Sequence, residues 1–111
     1  MSENDIKKQI ISNLKKHGIR SERMNRGSFR KHGVWLKFGF DGMPDILAFP
    51  FEDGRVLWVE TKDADNTLSE DQREFRAFCI RRNIPHVTAK SWEDVEGYLI
   101  AQGVIDGPGN P

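Results

Sequence analysis

The sequence predicts an α/β or α+β domain, with a small mixed sheet and helices packed on it. Three observations lead there. Apolar residues recur at helical spacing in three separated stretches: Ile6, Ile10 and Leu14; Phe75, Phe78 and Cys79; and Trp92, Val95 and Leu99. Short apolar runs of strand length, such as Ile46-Leu47-Ala48-Phe49 and Val56-Leu57-Trp58-Val59, lie between the first two. The resulting order is helix, strands, helix, strand, helix, which suits a layered sheet with both core helices packed on it. No internal repeat interrupts it.

Taken in order, the first helix opens at Ser2, a good N-cap, with Glu3 and Asp5 complementing the dipole in its first turn. Gly18 ends it after Lys15, Lys16 and His17. Residues 19–26 read as a strand of mixed polarity. Residues 23–33 are basic and punctuated by glycine, and read as a loop. Val34–Phe38 alternates loosely and reads as a second strand, with Trp35 and Phe38 expected in the core rather than as base-stacking platforms. Gly39, Gly42 and Pro44 form a turn, in which Gly42 allows a close phosphate approach that a side chain would obstruct. Residues 45–51 make a short buried strand. Asp53-Gly54 marks a hairpin turn, and residues 55–62 return as the next strand. Asp63, Asp65 and Asn66 form a polar loop.

Ser69-Glu70-Asp71-Gln72 is a capping box, so Gln72 has a structural reason to exist. The helix it opens directs Phe75 and Phe78 to the core and stops before Asn83 and Pro85. His86–Ala89 is the last strand. Ser91-Trp92-Glu93-Asp94 is a second capping box, opening a helix that stops at Gly103. Residues 1–103 thus form one domain, and 104–111 read as a flexible tail.

Composition narrows the class. Of 111 residues, 31% are charged and 37% hydrophobic, as in a small globule rather than a disordered chain. No apolar stretch approaches the ~20 residues of a membrane helix, and the N-terminus lacks a signal-peptide core. One cysteine, Cys79, excludes an internal disulfide and suits a reducing cytoplasm. The three histidines lack zinc-ligand spacing and read as surface or satisfied residues. Net charge is zero, but residues 1–40 hold ten Lys/Arg and three acids, and residues 41–111 hold seven Lys/Arg and fourteen acids. A basic half suits a phosphate backbone and an acidic half suits a metal site.

The chemistry centres on Asp45 and on Glu60-Thr61-Lys62. Strand side chains alternate, so Glu60 and Lys62 share a face, about 7 Å apart. If the two apolar runs pair, Asp45 and Glu60 converge. Two carboxylates beside an ammonium suit a hard cation and the hydrolysis of a phosphodiester.

Pro44-Asp45, fourteen residues, then Glu60-Thr61-Lys62 is the signature of the PD-(D/E)xK nuclease superfamily. Together with Glu3-x-x-Ile6-x-x-x-Ile10-x-x-x-Leu14-x-x-x-Gly18, Arg23-x-Asn25-x-Gly27, Gly42-Met43, Gly54-Arg55 and Leu68-Ser69-x-x-Gln72, it resembles the VRR-NUC (virus-type replication-repair nuclease) branch over residues 2–99. The resemblance implies a restriction-endonuclease-like αβββαβ core. It also implies a Mg²⁺- or Mn²⁺-dependent endodeoxyribonuclease of the stand-alone phage or bacterial type, in the host cytoplasm. Asp45, Glu60, the Thr61 carbonyl and Glu3 would hold the metal. Lys62 would orient water and oppose phosphate charge, and Gln72 would face the active site. Arg23 and Asn25 match the family at the DNA, and charge adds Arg26 and Lys37. A homodimer acting on branched DNA, in the manner of a Holliday-junction resolvase, is the expected form. Trp35, Phe38 and the first helix are its candidate interface. The alternatives are a non-cleaving nucleic-acid-binding module and a nuclease preferring flaps or single strands.

Overall fold

Two sheets, not one, organise the chain. The computed structural model describes residues 1–25 and 27–107, and describes residues 27, 29 and 36–38 by backbone only. Its elements in order are α1 (Glu3–Lys16), β1 (Ser21–Arg23), β2 (Gly27–Lys31), β3 (Val34–Phe38), β4 (Ile46–Ala48), β5 (Leu57–Thr61), α2 (Glu70–Arg81), β6 (His86–Ala89) and α3 (Trp92–Ala101). The main sheet has the order β1-β4-β5-β6. Its first three strands are antiparallel neighbours, and β5 and β6 run parallel, so the sheet is mixed. The expected tail falls partly on residues 108–111, outside the described residues.

The helix termini follow from local chemistry. Ser2 accepts a hydrogen bond from the Asp5 N–H at 3.1 Å, capping α1. All three helices end in the same way, with the chain turning left-handed at Gly18, Asn83 or Gly103. The next N–H then reaches back to a carbonyl of the last turn: Ile19 to Leu14, Ile84 to Cys79 and Val104 to Leu99, each at 2.9 Å. At α3 the expected Ser91 cap is absent. Ser91 makes no side-chain cap bond, and Asp94 instead accepts from the Lys90 N–H at 2.8 Å.

The core lies on one face of the main sheet. Ile6, Ile10 and Leu14 of α1 and Trp92, Val95 and Leu99 of α3 pack against Ile46, Ala48, Leu57, Val59 and Ala89. Each of the Ile, Leu and Val side chains among them contributes roughly 1.5–3 kcal/mol by leaving water. α2 covers the other face. There Phe75 meets Trp58 and Phe40, with ring centroids 5.6 and 4.8 Å away. Phe75 therefore packs as expected, whereas Phe78 stays 38% exposed at the outer edge of this cluster. His86 lies under Phe75 with a buried Nδ1 that has no hydrogen-bond partner, so it is neither a surface nor a satisfied histidine. Burial, with Arg76 adding to it, pushes its pKa down to about 4.

The basic stretch departs most from expectation. β1 is only three residues long, and residues 27–31, expected as loop, are a strand paired antiparallel with β3. His32 and Gly33 link them with φ of 52° and 77°. Two successive positive values make a tight primed turn, which matches the twist of a β-ribbon. β2 and β3 make their extensive contacts with each other alone. Trp35 is 68% exposed rather than in the core. A molecule measuring 58 × 31 × 26 Å agrees with a ribbon standing off the body.

Candidate active site

Asp45 sits one residue before β4, and Glu60 is the fourth residue of β5. The register pairs Ile46 with Val59, so the two acids are the next opposed positions along the ladder. β5 alternates: Leu57, Val59 and Thr61 enter the core, while Trp58 and Glu60 face α2. Glu60 is nonetheless only 2% exposed. Pro44 beside Asp45 is fully buried and anchors the turn that delivers the acid.

Each carboxylate is held from its own side. Asp45 Oδ2 accepts from both the N–H and the hydroxyl of Thr61, at 2.8 Å each. Its Oδ1 faces Lys7 Nζ at 3.4 Å. Glu60 Oε1 accepts from Gln72 Nε2 at 2.9 Å. Capping and a bond to Glu60 do not compete for the Gln72 side chain, because an amide has two ends. Its Oε1 accepts from the Ser69 N–H at 2.9 Å, closing the capping box, and this turns the NH₂ group towards Glu60. The cap therefore aims the active-site amide.

Glu60 Oε2 is buried and receives no donor. The Glu60 pKa is raised to about 8, first by burial and then by the neighbouring Asp45 carboxylate. Lys62 opposes this shift and Glu3 adds to it, which places both charges within electrostatic reach of Glu60. Glu3 itself is approached by Asn66 Nδ2 at 3.4 Å. Among the described residues, no three Asp, Glu, His or Cys side chains form a ready metal cage. The donor set nevertheless fits a hard cation. Two converging carboxylates, one of them with an orphaned buried oxygen, leave room for the waters that Mg²⁺ retains.

Asp45 and Gln72 open onto a cleft of about 470 Å³, also lined by Lys7, Met24, Asn25, Gly42, Met43, Ser69 and Asp71, while Glu60 lies buried behind Gln72. Gly42 shapes its wall. It has φ +82°, and a Cβ there would lie 2.3 Å from the Asp71 carbonyl oxygen. The close approach that glycine permits is thus to the first turn of α2, and it sets the distance between the Asp45 turn and Gln72.

Other expected residues are placed unevenly. Asn25 lines the cleft. Arg23 lies on β1 and donates to Asn4 Oδ1 at 2.9 Å, at the foot of α1. Lys37 belongs to β3 by backbone, with its side chain outside the description, and Arg26 lies outside the described residues altogether. Lys7 is the residue that sequence reasoning missed. Its signal was the four-residue spacing from Glu3, which puts both on one face of α1 beside the Ile6–Ile10 stripe.

The family model of the VRR-NUC domain matches residues 1–92 of the chain. The chain belongs to the VRR-NUC family. This is a family of nucleases, and the motif resemblance noted in the sequence is thereby shown. A solved structure described as a VRR-NUC domain is 17% identical, covers 91% of this chain and 97% of its own, and superposes with a TM-score of 0.64. That likeness shows the fold, a mixed sheet flanked by helices consistent with the restriction-endonuclease-like type. No curated protein matches the chain. Among the described residues of this VRR-NUC domain, no helix is long and apolar enough to cross a membrane.

Proposed function

We propose that the protein is a Mg²⁺- or Mn²⁺-dependent endodeoxyribonuclease that acts on branched DNA. The observation carrying this reading is the opposed pair of Asp45 and Glu60, each fixed by its own donors and with one buried oxygen unsatisfied. Asp45, Glu60 and the Thr61 carbonyl are the groups that would hold the ion, with Glu3 contributing charge nearby. A bound divalent cation supplies charge neutralisation at the phosphate and a more acidic water.

The chain's own residues do the rest. Thr61 and Lys7 fix the two oxygens of Asp45, and Gln72 fixes Glu60, so the acids are preorganised before substrate arrives. Lys7 beside Asp45 and Lys62 within electrostatic reach of Glu60 bring positive charge to the pair and oppose charge growing on the scissile phosphate. Lys62 orients the attacking water. The first turn of α2 lines the cleft and presents the positive end of its dipole there. Arg23, Asn25, Arg26 and Lys37 extend the contact along the backbone of the DNA.

A four-way junction is the best candidate substrate, with the protein as a homodimer. Resolving a nearly two-fold symmetric junction needs two cuts in opposed strands, and a two-fold dimer supplies two sites in matching geometry. The test is a cleavage panel of single strands, flaps, duplexes and four-way junctions with and without Mg²⁺, run beside sedimentation. Paired nicks in the junction, lost in chelator, and about twice the 12.8 kDa chain mass support the reading. A monomer that prefers flaps removes the junction and dimer claims. No metal-dependent cleavage of any substrate removes the nuclease claim.

A further inference from the structure

The β2–β3 ribbon carries chemistry that the cleft does not use. From Glu22 to Asp41 the chain holds five Lys/Arg and no acid between those two residues. The antiparallel register sets Arg30 opposite Trp35 and Ser28 opposite Lys37, so period-two alternation puts these four positions on one face. Ser28, Arg30 and Trp35 are all exposed there, Trp35 at 68%. The primed turn at His32-Gly33 keeps the ribbon short and stiff at its tip. An exposed indole paired across the ribbon with Arg30 is out of place on a solvated loop, because the ring is large and apolar. A cation face alone would suit phosphates. The ring needs a flat, apolar partner as well.

We propose that Trp35 and Arg30 form a platform on which an unpaired base of the DNA substrate stacks, while the neighbouring cations hold that strand's phosphates. The proposal rests on the nuclease reading and deepens it by naming the substrate feature that the arm recognises: a base freed from its partner, as at a branch point, flap or gap. A base offers a π-face to the indole whatever its identity, and its strand brings the negative charge that this ribbon lacks. A second copy of the chain is the poorer occupant. Two-fold pairing of this face with itself would bring the same cations against one another.

The experiment is fluorescence anisotropy in chelator, where nothing is cut, on a blunt duplex and on the same duplex carrying a three-nucleotide single-stranded bulge. Trp35→Ala should weaken binding to the bulged DNA by about tenfold or more, within the range found for base–aromatic stacking, and shift the blunt duplex by less than about twofold. Trp35→Phe should keep most of the affinity, since a smaller ring still stacks. Arg30→Ala should weaken both DNAs, the bulged one more, and lower the salt slope by about one. Indole emission should be quenched by the bulged DNA in the wild-type protein and much less in Trp35→Phe. Equal loss on both DNAs in Trp35→Ala, unchanged binding in that variant, or no wild-type preference for the bulge overturns the proposal. A halved mass of Trp35→Ala in sedimentation also overturns it and gives the face to a second copy. Cleavage is not read, so a protein that stacks bases but cuts nothing keeps this inference and loses the nuclease reading.

Discussion

The body and the arm of this molecule are built from opposite materials. In the body, Ile6, Ile10, Leu14, Leu57, Val59 and Leu99 are buried, and the polar groups of the site are positioned by hydrogen bonds to that frame. In the arm, every residue from 30 to 35 is exposed, and the two strands pair with each other rather than with the main sheet. A buried frame holds carboxylates that would otherwise repel. An exposed ribbon offers charge and aromatic surface to a large partner. The site therefore draws its precision from the body, and reach comes from the arm.

The sharpest way to break this division is to remove a site carboxylate. Asp45→Ala should lower cleavage by about two decades or more while circular dichroism stays native, because removing one member of a cooperating site costs rate rather than fold. Near-normal cleavage by that variant would sink the site.

Stability should divide along the same line. Leu14→Ala should cost about 2–5 kcal/mol in urea unfolding, as a truncation at 0% exposure leaves a cavity. Trp35→Ala should change it by less than about 0.5 kcal/mol. Similar costs at the two positions would mean that the arm is packed in solution. Gly42→Ala joins body to site. A left-handed alanine costs roughly 1–2 kcal/mol before the contact with Asp71 is counted, and the shift forced on α2 would pull Gln72 from Glu60. Its cleavage should fall with its stability, and loss of stability alone would detach Gly42 from the site.

These contrasts explain what was legible in the sequence. The three helices, β4 and β5 were readable because burial imposes periodicity, and the ladder of acids followed from that pattern. β2 was not readable. With Phe29 as its one large apolar residue it shows no apolar alternation, and Gly27, Ser28, Arg30 and Lys31 look like a loop. His32-Gly33 was the overlooked signal, since histidine tolerates the left-handed region better than most residues. Trp35 was misjudged because its place in the core presumed a core beneath that strand. The convergence of Asp45 and Glu60 was legible from the strand pattern, whereas the place of Gln72 beside them came from the family resemblance and spacing offered only its cap. The position of Lys7 depends on how α1 crosses the sheet, which the sequence does not encode locally.

The smallest expected effect is a pH slope in the metal-free protein. Glu60 binds its proton more tightly folded, at about 8, than its ordinary 4.5. Its contribution to stability is present at low pH and fades as pH rises towards 8. His86 acts in the opposite sense, with stability lost as pH falls from 6.5 towards 4. Thermal midpoints in chelator should therefore decline between about pH 6.5 and 8, and Glu60→Gln should flatten that decline. A slope that persists in Glu60→Gln would place the titrating group elsewhere.

The most direct test of the central claim, that Asp45 and Glu60 form one cation-binding cleavage centre, is calorimetric titration of Mn²⁺ near pH 7 in buffers of different ionisation enthalpy. With its pKa at about 8, Glu60 is mostly protonated there, so ion binding should expel most of one proton. In Glu60→Gln, binding should be much weaker and release none. Tight binding without proton release, or equal affinity in Glu60→Gln, would contradict the account.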